Sequence, residues 1–166
     1  MLITHSDQGL LQGLLLRLVT QLNQTGFLTD NLTMPHGGAI NPNCDCDTYM
    51  GVCRVDADRP HRRIDLKVYS QYSYPFAVLY FTGSDHFNRS MRYYAKQKQL
   101  SLSDQGLKPV ITSKGRKREK VWTGECIQLP KHEHSERGVF KLLGLRYVPP
   151  TERGCGKDFD KCVTRE

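Results

Sequence analysis

Between Arg62 and Tyr69 the side chains change character at every step. Ile64, Leu66 and Val68 are apolar, while Arg63, Asp65 and Lys67 are charged. A period of two belongs to a β-strand with one face covered and one face wet, and no helix satisfies it. Such a strand needs a neighbour for its backbone and an apolar layer for its inner face. The run Tyr49–Val55 supplies a second strand, joined to the first by the polar turn Asp56-Ala57-Asp58-Arg59-Pro60. Upstream, Leu10, Leu11, Leu14, Leu15, Leu18 and Leu22 recur at three- and four-residue intervals, and Gly26 sits where a helix stops. That spacing predicts one amphipathic helix from Asp7 to Thr25 whose leucines are core. Helix plus antiparallel strands is an α+β arrangement. On the polar face one carboxylate, Asp65, stands between two cations; from the residues alone this reads as an exposed strand face of mixed charge.

The chain has 166 residues, 38% of them hydrophobic and 25% charged, which suffices for a core in one domain or one domain plus a small module. No apolar run approaches the roughly 18 residues that cross a bilayer, and Met1–His5 does not read as a signal peptide. Of the six cysteines Cys44 and Cys46 are almost adjacent, while Cys53, Cys126, Cys155 and Cys162 share no obvious spacing, and all are expected as reduced thiols. Cys44-Asp45-Cys46-Asp47 falls in a Pro/Gly/Asn/Asp-rich segment, Asn31–Asp47, expected as a loop. Two cysteines one residue apart, with no second pair, make a poor zinc site.

Charge is distributed unevenly. Residues 1–70 hold six Lys/Arg against seven Asp/Glu, a balance of −1, and residues 71–166 hold eighteen against ten, a balance of +8, which together make the formal net charge of +7. A polyanionic partner follows, nucleic acid first and an anionic membrane surface second, with simple solubility as the bland alternative. The densest patch, Lys114-Gly115-Arg116-Lys117-Arg118-Glu119-Lys120, reads as an exposed hairpin tip suited to phosphate contact, to nuclear targeting, or to solvation only.

In that back half Phe76–Phe81 is apolar throughout, so its periodicity does not separate helix from strand. Thr82-Gly83-Ser84 breaks the run and opens a helix over Ser84–Lys98. Phe87, Met91, Tyr94 and Ala95 form one face of it, and Asp85, Asn88, Arg89, Arg92 and Lys96 form another. Amide, guanidinium and carboxylate groups aligned in this way are those that read nucleotides. Strands are expected over Leu107–Thr112 and within Lys120–Leu129, a short helix over Ser135–Leu143 stopped by Gly144, and a frayed charged tail beyond Pro149-Pro150.

The run Tyr80-Phe81-Thr82-Gly83-Ser84-Asp85-His86-Phe87-Asn88-Arg89-Ser90-Met91-Arg92, preceded by Arg62-Arg63-Ile64-Asp65, resembles the family X DNA polymerases. Leu2-Ile3-Thr4-His5, Gly26-Phe27-Leu28-Thr29-Asp30, Gly51-Val52-Cys53-Arg54 and Leu142-Leu143-Gly144-Leu145-Arg146-Tyr147 extend the likeness in order over roughly residues 2 to 153. Tyr80-Phe81, where terminal transferases have Gly-Trp, sides with the template-directed branch. The resemblance implies a partial nucleotidyltransferase-type palm over 1–70, a small α/β thumb over 71–153 that carries the nucleotide- and template-contact helix, and a charged tail over 154–166. It also implies nucleotidyl transfer from a dNTP to a primer 3′-OH on gapped or primed double-stranded DNA, in repair, in the nucleus and away from membranes.

Such chemistry needs divalent metals, Mg²⁺ or alternatively Mn²⁺, held by hard carboxylate oxygens. By the resemblance Asp65 is the third of three palm aspartates, both metal ligand and catalytic, with Arg63 organising it. Tyr80, Phe81 and Gly83 line the sugar side of the nucleotide, Asp85 lies against the base, and Asn88 reaches its minor-groove edge. Arg89, Arg92 and Lys96 contact DNA, and the Gly83–Ser84 bond is expected to be cis. The family's other two aspartates lie in a Gly-Asp-Val-Asp strand just before the segment matching Leu2–His5. The expectation is therefore a partial catalytic domain, inactive alone. The competing reading is a non-catalytic module that keeps the thumb's grip on duplex DNA. Gly138, where relatives usually carry Asp, is expected to weaken its helix by roughly 1 kcal/mol relative to Ala.

Overall fold

The computed structural model describes residues 1–36, 46–112, 120–122, 124–154 and 156–163. They fall into two compact units, Met1–Gln71 and Tyr72–Glu166. Cys44 and most of the Lys114–Lys120 patch lie outside the described residues.

The first unit is built around the alternating strand. β1 (Leu2–Ile3), β2 (Leu28–Thr33), β3 (Cys46–Cys53) and β4 (Arg62–Tyr69) form one sheet in the order β1-β4-β3-β2. β1 runs parallel to β4, and β3 is antiparallel to both β4 and β2. Leu66 and Val68 are buried, joining Leu11, Leu15, Val19, Leu28 and Tyr49 in the core, with Ile64 packed at its margin. The facing register is Leu66 with Tyr49 and Asp65 with Met50, so the charged residues of β4 share the other face.

The expected single helix is two: α1 (Gln8–Leu11) and α2 (Leu14–Gln24). Gly13 adopts a left-handed backbone, φ +61°, and breaks the run. The carbonyls freed at the break are taken up by Arg17, whose guanidinium donates to Gln12 O at 2.8 Å and Leu10 O at 3.2 Å. The break turns Leu10 outward, where it is exposed, and Val19 takes a core place instead.

The segment expected as a loop from Asn31 gives β2 at one end and β3 at the other. β2 buries only Leu28, so it carries no apolar alternation; its register on β3 shifts twice. Asp47 ends up buried because its Oδ1 accepts from the backbone N–H of His36 at 3.1 Å and of Thr48 at 3.0 Å. Tyr49 lies over Gly51, where an added Cβ would stand 2.1 Å from the phenol oxygen and 2.8 Å from Asp30 O.

The second unit begins with α3 (Tyr74–Thr82) and α4 (Asp85–Gln97), followed by the antiparallel β5 (Leu100–Ser103), β6 (Gly106–Thr112) and β7 (Lys120–Trp122), then α5 (Glu136–Leu142). The Phe76–Phe81 run is therefore helical, with Pro75 in the first turn, where its missing N–H costs nothing. Phe87, Met91 and Ala95 of α4 meet Phe76, Leu79, Leu107, Val139, Phe140 and Leu143 in a second core.

The expected fraying beyond Pro149-Pro150 does not hold through Cys162. A 3₁₀ segment, Gly156–Lys161, brings Phe159 and Cys162 into this core, with the Phe159 ring edge-on to Phe87 at 5.8 Å. Burial pushes the Cys162 thiol up to about 11. Cys53 carries a free thiol as well, but Cys126 is disulfide-bonded, against the expectation of reduced thiols; no spacing pattern in the sequence marks it for pairing.

Gly138 also departs from expectation. It is buried in the first turn of α5, where its N–H donates to the capping Ser135 Oγ at 3.3 Å. A Cβ there would lie 2.0 Å from the carbonyl oxygen of Glu133. The glycine is what lets the chain pass this close, so its low propensity is not simply a defect. Gly138→Ala should therefore destabilise the second unit by about 1–3 kcal/mol, despite a propensity gain of about 1 kcal/mol. Urea unfolding followed by circular dichroism measures the sign; a stabilised variant would show that Glu133 moves aside freely.

Candidate functional site

α3 and α4 meet at a corner that three residues define. Thr82 ends α3 and returns its hydroxyl to Val78 O at 2.7 Å. Gly83 follows with φ +73°, a conformation that L side chains resist, and the Gly83–Ser84 peptide is cis. Ser84 then caps α4, its Oγ accepting from Phe87 N–H at 3.3 Å. The Ser84 N–H donates to Arg153 O at 3.3 Å, which ties the corner to the end of the chain's second core.

A cavity of about 430 Å³ opens at this corner, walled by Tyr80, Phe81, Thr82, Gly83, Ser84, Asp85, Asn88, Arg89 and Arg92. The sequence-predicted Tyr80, Phe81, Gly83, Asp85, Asn88, Arg89 and Arg92 thus share one concave surface. Tyr80 and Phe81 are exposed and meet edge to face at 5.1 Å. Such rings left in water at the rim of a polar cavity present faces to a ligand.

The polar groups are held by short local bonds. Asn88 Nδ2 donates to Tyr80 O at 2.6 Å, which fixes its carboxamide plane and leaves its oxygen free to accept. Asp85 accepts from Arg89 Nη2 at 2.6 Å and from the His86 backbone N–H at 2.8 Å. The Arg89 hydrogen bond is the main cause holding the Asp85 carboxyl below the usual carboxylate range. Arg92 has no acidic partner among the described residues; its guanidinium lies 5.9 Å from the Tyr80 ring centroid. Lys96 lies off this cavity and lines a neighbouring cleft with Arg92.

Arg63 and Asp65 belong to the first unit. Arg63 Nε sits 3.0 Å from Asp65 Oδ1, and Arg63 Nη2 lies 3.2 Å from the sulfur of the cross-strand Met50. Met50 sits opposite Asp65 in the β3–β4 register, so the arginine is steered onto the carboxylate by its neighbour strand. Among the described residues no three His, Cys, Asp or Glu side chains gather as a metal site. Asp65 is thus one carboxylate on a rigid strand, short of the donor set that a divalent-metal pair requires.

The sequence did not single out Thr82 and Ser84, which wall the cavity, or Arg153, whose carbonyl anchors the corner. Thr82 and Ser84 stood inside the quoted motif, so their neighbours were signal enough. Arg153 offered none, because its role depends on contacts remote in sequence.

The DNA polymerase beta palm model matches residues 1–71, and the DNA polymerase beta thumb model matches residues 77–154. Over 153 residues, 92% of this chain and 25% of the relative, the chain is 42% identical to DNA polymerase lambda of Rattus norvegicus. Over 151 residues, 91% of this chain and 28% of the relative, it is 32% identical to DNA polymerase lambda of Arabidopsis thaliana. The chain spans about a quarter of the length of these curated relatives. With palm and thumb matches in succession over most of its length, the chain belongs to the family X DNA polymerases and is lambda-like among them.

Proposed function

We propose that this chain is the palm and thumb portion of a template-directed, repair-type DNA polymerase that joins a dNTP to a primer 3′-OH on gapped DNA in the nucleus. The observation that carries the reading is the cavity at the α3–α4 corner. It combines two exposed rings, a fixed carboxamide and two guanidinium groups within one thumb match. In this reading Tyr80 and Phe81 face the sugar, Gly83 admits it closely, Asp85 and Asn88 flank the base, and Arg89, Arg92 and Lys96 hold DNA. Family X polymerases depend on divalent metal, and here Asp65, steadied by Arg63, offers one carboxylate to Mg²⁺ or Mn²⁺. The described residues do not complete a metal site, so the rest of that donor set must come from outside them.

Extension of a gapped primer by the protein that carries this chain tests the proposal. Correct-nucleotide incorporation that needs both template and Mg²⁺ supports it. The same metal observation favours a second reading, a non-catalytic DNA-binding module, and that reading gains if gapped DNA is bound with no extension under any divalent metal. No described helix is long and apolar enough to cross a membrane.

Asp85 offers a sharper test of the DNA contacts. It occupies one face of Arg89, so DNA must compete with a carboxylate for that cation. Asp85→Asn should release Arg89 and steepen the salt dependence of duplex binding by about one counterion, a slope change near −0.9. Binding titrations at several KCl concentrations measure the slope; an unchanged slope would mean that Arg89 does not reach phosphate.

A further inference from the structure

α4 has a second cleft on the side of Arg92 away from the nucleotide cavity. Arg92, Tyr93, Lys96, Leu100, Ser101, Leu102 and Val110 line it, and it measures about 180 Å³. That is below the about 300–1,000 Å³ usual for small-molecule pockets, a size suited to a single flat group. Leu102 and Val110 are buried and form an apolar floor.

Tyr93 stands over this floor and is 64% exposed, although the apolar face of α4 is already filled by Phe87, Met91 and Ala95. The ring therefore plays no part in the core. Arg92 and Lys96 line the same cleft beside it, and neither has an acidic partner among the described residues. An isolated exposed tyrosine is unremarkable. A ring beside two cations without acidic partners among the described residues, over an apolar floor, is different, because it combines a stacking platform with phosphate-binding groups. Arg92 also belongs to the wall of the Tyr80–Arg89 cavity, so one residue borders both spaces. A strand leaving the first would meet the second at the next turn of the helix.

We infer that this cleft takes an unpaired nucleotide of a single-stranded template, its base stacked on Tyr93 and its flanking phosphates held by Arg92 and Lys96. The inference rests on the polymerase reading and adds to it a site for template that has not yet been copied. Stacking is indifferent to base identity, so the site reads strandedness and not sequence.

The test uses the full chain and two DNAs, a blunt duplex and the same duplex with a 5′ template overhang carrying 2-aminopurine at successive positions. The wild type should bind the overhang form more tightly and quench 2-aminopurine at one position. Tyr93→Ala should weaken overhang binding about tenfold or more, abolish the quench and leave blunt-duplex affinity unchanged. Tyr93→Phe should keep both. Unchanged overhang affinity and quenching in Tyr93→Ala would overturn the inference and leave the polymerase reading standing. An equal loss in Tyr93→Phe would also overturn it, since a phenyl ring stacks as well. If the wild type bound neither DNA, the inference and its parent reading would both fall.

Discussion

Arg153→Ala should cost the second unit about 3–5 kcal/mol, a large part of the roughly 5–15 kcal/mol that keeps a domain folded. Arg153 is 1% exposed, a position that arginine takes only when fully partnered. Its Nη1 donates to Glu136 Oε1 at 2.9 Å, its Nη2 to Glu136 Oε2 at 3.3 Å, and its Nε to Val148 O at 2.8 Å. The guanidinium plane also lies 5.1 Å from the Phe140 ring centroid and 5.5 Å from those of Phe87 and Tyr147. This two-pronged bond to a carboxylate, with stacking on rings, is geometry that lysine does not reproduce.

Truncation would leave a half-buried Glu136 carboxylate without its cation and a gap among three rings. Arg153→Lys should recover only a minor share of the loss. Glu136→Ala in the Arg153→Ala background should cost much less than Glu136→Ala alone, since the stranded charge is then gone. Urea unfolding of the four proteins gives the coupling. Strict additivity, or a loss below about 1 kcal/mol for Arg153→Ala, would rule out the buried pair as a main fastening of this unit. Because the Arg153 carbonyl receives the Ser84 N–H, the same loss should reach the α3–α4 corner.

How much of this was legible in the sequence varies with how local each signal is. The alternation from Ile64 to Val68 is complete within one strand, and it placed Asp65 correctly on the face away from the core. The two faces of α4 were equally readable, since a helix period needs no partner to be seen. α3 was not, because Phe76, Ala77, Val78 and Leu79 are apolar on every side and carry no period. β2 and β5 were missed for the opposite reason: mostly polar or half-buried, they are strands by virtue of the neighbours they pair with.

Phe159 and Cys162 sit in a charged, Gly-interrupted stretch, and only tertiary packing, which sets the Phe159 ring against Phe87 and Tyr94, makes them core. The break at Gly13 hid inside an otherwise perfect leucine stripe. Of the candidate site, the types and spacing from Tyr80 to Arg92 pointed to nucleotides, but the roles of single residues came from family resemblance. The Asp85–Arg89 bond, which sets what Arg89 is free to do, needed coordinates.

On the proposed polymerase reading, Asp65→Asn should reduce gap-filling by the protein that carries this chain at least about a hundredfold to a thousandfold, the scale of removing one preorganised electrostatic group. It should leave gapped-DNA affinity within about twofold. The substitution keeps shape and removes charge. Only Oδ1 is engaged, by Arg63, and Oδ2 takes no donor among the described residues, so the second oxygen is available to a cation. The pair is open to water, with side-chain exposures of 61% for Arg63 and 43% for Asp65, and exposed pairs contribute about 0–1 kcal/mol to stability. Folding should therefore survive, and a lost rate would report on chemistry.

Each factor of ten in rate corresponds to about 1.4 kcal/mol of barrier, so a thousandfold loss requires about 4 kcal/mol from one carboxylate. An organising arginine does not supply that much; it only sets direction. Arg63→Ala should accordingly cost far less than Asp65→Asn, and the ratio of the two separates a group that acts on the reacting atoms from one that aims it. Single-turnover incorporation on a one-nucleotide gap in Mg²⁺ measures both. Equal losses would make Asp65 a structural partner of Arg63, and an unimpaired Asp65→Asn would place the catalytic carboxylates elsewhere.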